Sequence, residues 1–446
     1  MMQNSYYIED LTDEEKGVSK KDGLVYFIDN AKLDDTVTIK NIKDKKRFIE
    51  AETDSVLKDS RFRIKSKCKF YEKCTGCTFQ DLEYIKEKDF KKNKLINNLK
   101  RIGNIQEIDE KDIDLITLDE NILNYRNKIT LKVKDNKLGY FKRQTNDIVE
   151  IDECVAANEN INKVIKELKN IDLKHVKEIV IRSIQDIMQI EIELKDSYKV
   201  DNKPKESFKN LENIKEVSEI YVKYKDKKNK VQRDILYKKE DFVISFLDNK
   251  FKIRTDSFFQ VNTNMAEKVY KDIKEEIVKN EKSKSAILID LYSGVGVSSI
   301  IFSDIFKKIV SIELNEEAIK DAKENVKLNN KENIEIIQGK AEEEILKLQI
   351  PEKSFVFVDP PRKGLTNEIV DKINESNVKD VIYMSCNSTT LARDLKRFSS
   401  YNYNIKQIKL YDMFPRTMHV ECIALIQRVK SWKSCILSSF TNIMYL

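Results

Sequence analysis

At 446 residues the chain is roughly three times the length of a common domain, which excludes a single small core. Its 40% apolar and 35% charged residues suit a globular protein rather than wholesale disorder, and apolar runs such as Ala286–Leu288 and Phe355–Val358 fall far short of the ~20 residues that a bilayer helix needs. The net charge of +6 says little about partners by itself, but Arg61–Arg101 holds thirteen Lys/Arg against five Asp/Glu, a local +8 that leaves −2 for the remainder; such a patch attracts phosphates, unless it is only a solvated helix face.

Short alternating stretches at Leu24–Asp29, Thr36–Lys43 and Arg47–Leu57 predict a small β-barrel over residues 1–60. A helix follows at Gln80–Leu99 with a rough apolar stripe of Leu82, Ile85, Phe90 and Leu95. Residues 61–255 then read as a central, mainly β region. Ile129–Val133 and Leu138–Lys142 form a hairpin about Asp135-Asn136, and further strands lie at Glu178–Arg182, Ile187–Leu194, Glu219–Lys223 and Phe242–Phe246. From 256 to 430 the rhythm becomes helix and strand in alternation. Ala266, Val269, Tyr270, Ile273 and Ile277 mark an amphipathic helix, and Ala286–Asp290, Lys308–Glu313, Ile334–Gln338, Phe355–Asp359 and Val381–Ser385 are buried-type strands. That order predicts a doubly wound, mostly parallel α/β sheet whose binding crevice lies at the strands' carboxyl ends. Residues 431–446, with the only Trp, have no reading.

Seven cysteines without a secretory leader point to a reducing, cytoplasmic setting and not to a disulfide framework. Cys68-x5-Cys74-x2-Cys77, with Cys154 further on, offers four thiolates for an iron–sulfur cluster or a tetrahedral zinc. Three clustered cysteines and a remote fourth favour the cluster over paired zinc knuckles, and chance proximity is the alternative.

Four constellations carry candidate chemistry, most of them at the expected crevice. Asp290-Leu-Tyr-Ser-Gly-Val-Gly296 joins strand to helix, and its glycines let the backbone turn beside a ligand. Ser299 stands where a dinucleotide fingerprint has its third glycine, which disfavours NAD. Glu313 ends the next strand, where a carboxylate can accept both ribose hydroxyls; a surface Glu beside a tight turn is the plain alternative. In Asp359-Pro-Pro-Arg-Lys-Gly364 two prolines stiffen the loop that presents Asp359. Cys386 follows a buried strand with Asn387 or Ser388 as helix cap, a place where a thiol's pKa can be lowered and the thiolate can act as nucleophile. Glu421 interrupts a late strand among Val420, Ile423 and Leu425: it is either a desolvated base of raised pKa or an edge residue facing water.

Together with Ser257-Phe-Phe-Gln-Val-Asn262 and His419-Val-Glu421, these motifs stand in the order found in bacterial RNA uracil-5-methyltransferases, and the chain from 1 to about 430 resembles the iron–sulfur members that act on 23S ribosomal RNA. Residues 1–60 resemble the RNA-binding TRAM domain through Asp10-Leu-Thr12 and Gly17-Val-Ser-Lys-Lys-Asp-Gly23. The resemblance implies a Rossmann-like methyltransferase domain and S-adenosylmethionine held by Gln260, Tyr292, Glu313 and Asp359. It further implies Cys386 as nucleophile, Glu421 as base, and a 4Fe-4S cluster on Cys68, Cys74, Cys77 and Cys154. Lys340, where relatives have an Asp near the adenine, and Val297, in place of a polar residue, depart from the pattern. No membrane and no obligate protein partner is implied.

The implied chemistry agrees with the residues. Carbon 5 of uracil attacks a methyl sulfonium only after a thiolate adds at carbon 6, and the carbon-5 proton must then leave so that the thiolate can be eliminated. The target uridine must be flipped out of its stack. The Ser before Cys386, where cytosine enzymes often carry Pro, speaks for uracil. Three other readings compete: a transfer-RNA uracil-5-methyltransferase, a non-catalytic iron–sulfur RNA-binding protein, and a cluster-dependent oxidoreductase.

Overall fold

The computed structural model describes residues 5–119, 122–142, 145–195, 207–226, 228–279 and 283–429; the tail 431–446 lies outside them. The chain divides into two compact units. One comprises residues 1–72, 76–91 and 416–418, and the other residues 73–75, 92–415 and 419–446.

The first unit is built on a six-stranded sheet formed by residues between Tyr6 and Lys58. Thr36–Asp44 and Ile49–Lys58 are its long antiparallel pair, and Leu24–Asp29 runs parallel to Ile49–Lys58. Alternate side chains, among them Ile8, Tyr26, Ile28, Val37 and Ile49, close a small core with Phe79, Leu82, Phe90 and Met418. The helix expected at Gln80–Leu99 begins at Tyr84 and ends at Arg101. Its stripe is rough because Glu87 and Lys91, paired at 2.6 Å, are themselves buried.

The second unit holds two large sheets. A seven-stranded sheet contains the expected hairpin, Lys128–Lys134 with Lys137–Phe141, followed by Val176–Ile184, Ile187–Leu194 and Val217–Lys225. Val231–Lys238, which the sequence reading missed, completes one edge. An amphipathic helix, Glu159–Leu168, buries Ile161, Val164, Ile165 and Leu168.

The other sheet is the doubly wound one. Its parallel strands stand in the order Ile334–Gln338, Lys308–Glu313, Ile287–Leu291, Phe355–Val358, Asp380–Ser385. Glu421–Arg428 adds antiparallel, Tyr403–Tyr411 pairs with it, and Asp114–Ile116 closes the edge. The strands are buried on both sides, so alternate residues feed two cores. Leu291, Val358 and Tyr383 face one; Leu288, Phe357 and Met384 face the other. This explains the unbroken apolar runs in the sequence. Strand order reverses between Ile287–Leu291 and Phe355–Val358, which opens a crevice at their carboxyl ends.

Candidate active site

The first wall of the crevice is the turn after Ile287–Leu291. Tyr292 and Gly294 take left-handed backbone angles of 63° and 55°, and Gly296, at 82°, leads into the helix Val297–Phe302. Asp290, fully buried beneath the turn, accepts hydrogen bonds from the hydroxyls of Ser298, at 2.6 Å, and Ser299. Glu313 at the end of the neighbouring strand braces the same turn. One carboxylate oxygen takes the Gly294 N–H at 2.9 Å, and the other takes those of Leu314 and Asn315. Tyr292 donates to Glu342 at 3.1 Å.

The second wall comes from Ser257–Asn262. Asn262 caps the helix Thr263–Val278, and Asn127 donates to the Gln260 carbonyl at 2.9 Å. Between the walls lies a cleft of about 450 Å³, open to solvent, lined by Phe258, Gln260, Tyr270, Tyr292, Val297 and Asp359 among others. Three of the four residues expected to hold the cofactor thus share one cleft. Glu313 meets it through Gly294. Of the two departures, Val297 lines the cleft, whereas Lys340 is exposed and paired with Glu343 at 2.8 Å.

The ends of the next strands carry Asp359, Cys386 and Glu421. Gly364, at φ 74°, turns the Asp359–Gly364 loop where a Cβ would lie 2.6 Å from both Arg393 and Asp394. Asp394 holds the loop through the Leu365 N–H and the Tyr383 hydroxyl, both at 2.8 Å. Asn387 caps the helix Ser388–Ser400, as expected, and its amide also reaches the Arg362 carbonyl at 3.2 Å. Ser385 stands opposite Cys422 across the antiparallel ladder, so the next step along both strands sets Cys386 beside Glu421. Sequence distance is bridged by register alone.

Electrostatics distinguish these groups. Glu421 is 2% exposed, and its Oε1 has no hydrogen-bond partner among the described residues, so it is not a solvent-facing edge residue. Burial first, and then the charge of Asp359, hold its carboxyl well above the usual range. Burial, aided by Asp290, pushes Asp359 up to about 7, and burial pushes Asp290 up to about 6 against the pull of its serine donors. The thiol departs from the expectation of a lowered pKa. Burial, Glu421 and Asp359 raise Cys386 to about 11, and the opposing Arg362 guanidinium does not offset them. The helix-start effect is small beside desolvation next to two carboxyl groups. Arg362, Asp290 and Tyr270 are site residues to which the sequence reading assigned no role. Arg362 was visible inside the Pro-Pro-Arg motif, whereas Tyr270 looked like an ordinary core position.

The four clustered-cysteine candidates are all half-buried. Cys77 accepts from the Gln80 amide at 3.5 Å, and the Cys68 N–H donates to Ser66. Cys74 pairs with Lys142 in an isolated bridge, and Cys154 lies 4.0 Å from the Tyr140 hydroxyl, on which both Cys74 and Cys154 act. Among the described residues no three Cys, His, Asp or Glu side chains form a ready ligand set for a metal.

The sequence pattern of the family described as tRNA (Uracil-5-)-methyltransferase matches residues 83–429. An uncharacterised RNA methyltransferase of Fusobacterium nucleatum is 33% identical over 437 residues, 93% of each chain, and one of Clostridium acetobutylicum is 33% identical over 95% of this chain and 96% of its own. The crystal structure of Pyrococcus abyssi tRNA (uracil-54, C5)-methyltransferase in complex with S-adenosyl-L-homocysteine superposes with a TM-score of 0.72 at 25% identity, covering 95% of this chain and all of that one. A family match across most of the chain, on a doubly wound sheet with its crevice at the switch point, makes this protein a member of the RNA uracil-5-methyltransferase family and an S-adenosylmethionine-dependent enzyme.

Proposed function

We propose that the enzyme methylates carbon 5 of a specific uridine in 23S ribosomal RNA, with Cys386 as nucleophile and Glu421 as base. The observation that carries the roles is the cross-strand placement of Cys386 beside a buried Glu421 whose Oε1 is unpartnered among the described residues, both under the charge of Asp359 in the cleft lining. S-adenosylmethionine supplies the electrophilic methyl group. Gln260, Tyr292, Asp359 and Glu313 would hold it, a reading supported by the cleft that the first three share and by the hydrogen bond of Glu313 to Gly294 beside it.

Cys386 must lose its proton to solvent, and its thiolate bonds to carbon 6 as the C5–C6 double bond opens, leaving the electron pair on a nucleophilic carbon 5. The Arg362 guanidinium favours that thiolate. After methyl transfer, Glu421 takes the carbon-5 proton, and the Cys386–carbon 6 bond breaks. Cys386→Ala should bind RNA without forming a covalent complex. Glu421→Gln should accumulate a methylated, covalently linked protein–RNA species, seen as a retarded band on denaturing gels. Wild-type turnover in both variants would overturn the assignment.

Ribosomal RNA as substrate, a TRAM-like role for residues 1–60 and a 4Fe-4S cluster on Cys68, Cys74, Cys77 and Cys154 rest on motif resemblance and cysteine spacing. Protein purified without oxygen should contain iron and sulfide near four per chain; stoichiometric zinc without sulfide would reject the cluster. A transfer-RNA substrate is the second reading, favoured by the likeness to the Pyrococcus abyssi enzyme. Mapping 5-methyluridine in both RNA classes, from cells with and without the protein, decides between them.

A further inference from the structure

The polar face of the seven-stranded sheet is laid out in cross-strand ion pairs. Lys132 meets Glu178, Lys223 meets Glu193 at 3.0 Å, and Arg233 meets Glu191 at 2.7 Å. One position breaks the rule. Lys128 and Arg182 stand directly opposite each other in the antiparallel ladder, two cations where like charges are destabilising. Arg182 is fully buried; one of its nitrogens donates to the Ser257 carbonyl, while Nε and Nη1 have no partner among the described residues. The Lys128 ammonium has no hydrogen bond or ion pair among the described residues, and burial beside Arg182 lowers its pKa to about 8. Arg126, whose Nε donates to the Lys128 carbonyl at 2.9 Å, adds a third cation.

The carboxylates nearby act on the two cations only through space, Asp256 foremost, and among the described residues none is hydrogen-bonded to either. Glu191 holds Arg233 and Thr255, Asp321 holds Ser257 at 2.6 Å and Arg254 at 3.1 Å, and Asp256 is half-exposed beside Arg233. A buried guanidinium with two unused donors, facing a second unpaired cation, is costly unless an anion arrives. Its anchor, Ser257, is one residue from Phe258 in the cleft lining.

We propose that Lys128 and Arg182, flanked by Arg126, form a phosphate-binding subsite that seats the RNA backbone next to the nucleotide entering the cleft. The proposal rests on the enzyme's action on RNA and adds where the strand is gripped. A carboxylate on the cofactor's methionine moiety shares the chemistry, so the test separates the two.

Binding of a fluorescein-labelled single-stranded RNA of mixed sequence is measured across a potassium chloride series for the full chain. Lys128→Gln should weaken it about five- to twentyfold and flatten the slope of log affinity against log salt by about 0.7, one phosphate contact on a single strand. Lys132→Gln, at an ammonium already taken by Glu178, should leave the slope unchanged. Arg182→Lys, which keeps the charge but loses the planar fork, should also weaken binding; if it fails to fold, Lys128→Gln decides alone. Unchanged RNA affinity and slope in Lys128→Gln would overturn the subsite. A calorimetric loss of S-adenosylmethionine affinity with RNA binding intact would give the cations to the cofactor instead. Failure of the enzyme to methylate any RNA would be seen in the wild type and is distinct from either result.

Discussion

Three acids, Asp290, Asp359 and Glu421, act on the buried Tyr270 hydroxyl, and each is held above its ordinary carboxylate pKa. Burial is the leading cause in every case, so near neutrality the cluster keeps a proton that separate surface carboxylates would have lost. If Asp359 holds S-adenosylmethionine as proposed, a sulfonium beside it would favour the ionised form, and the ionised form in turn would favour the sulfonium. Because the Asp359 pKa lies at about 7, affinity for S-adenosylmethionine should rise between about pH 6 and 8, whereas affinity for the uncharged thioether S-adenosylhomocysteine should stay nearly flat. Calorimetry with both ligands across that range checks this, and parallel profiles would remove Asp359 from contact with the charge. Cys386 behaves in the opposite sense to a thiol activated at a helix start. With a pKa of about 11, its alkylation by iodoacetamide in the ligand-free enzyme should be slow at neutral pH and climb steadily to pH ~10. A plateau near pH 7 would mean that the thiolate is already formed.

At the scale of elements, the helix Tyr84–Arg101 shows why an apolar stripe can mislead. Glu87 and Lys91 are completely buried as an i, i+4 pair, and Arg416 completes the group by placing its backbone N–H 2.8 Å and its guanidinium 3.4 Å from Glu87. The same guanidinium donates to the carbonyls of Phe79 and Leu82. Removing one member leaves buried charge without compensation, so Glu87→Ala should cost about 3–5 kcal/mol in chemical denaturation. Glu343→Ala, which breaks an exposed pair with Lys340, should cost only a small fraction of that. Equal effects would mean that the buried group contributes no more than a surface pair. The strand Glu421–Arg428 makes the complementary point. Its pattern foretold a strand with a Glu in it, but only pairing with Asp380–Ser385 places that Glu at the end where Cys386 emerges.

Over the whole molecule, the doubly wound sheet draws on residues far ahead of its first parallel strand. Leu95, Ile96, Leu99 and Ile113 lie in its core, Asp114–Ile116 covers its edge strand, and Asn127 bonds to Gln260 and Thr263. A fragment of residues 256–429 would therefore expose an edge and lose part of a core. It should aggregate or melt without cooperativity by calorimetry, whereas residues 92–429 should give a cooperative transition. A sharp melt of the shorter fragment at the longer one's temperature would show those contacts to be dispensable.

Local pattern and spacing were enough to determine the alternation of helix and strand after residue 256, the glycine turn at Gly294, the cap of the helix after Cys386 and the place of Asp359 at the carboxyl end of a buried strand. Each of these depends on neighbours a few residues away, and a linear sequence displays such neighbours directly. Tertiary structure alone decided the register that joins Cys386 to Glu421, the high pKa of that thiol, the capture of Asp114–Ile116 by Tyr403–Tyr411 nearly three hundred residues later in the chain, and the like-charged pair of Lys128 and Arg182. Strand register and desolvation are set by contacts between distant segments, and a side chain's environment exists only after those contacts have formed.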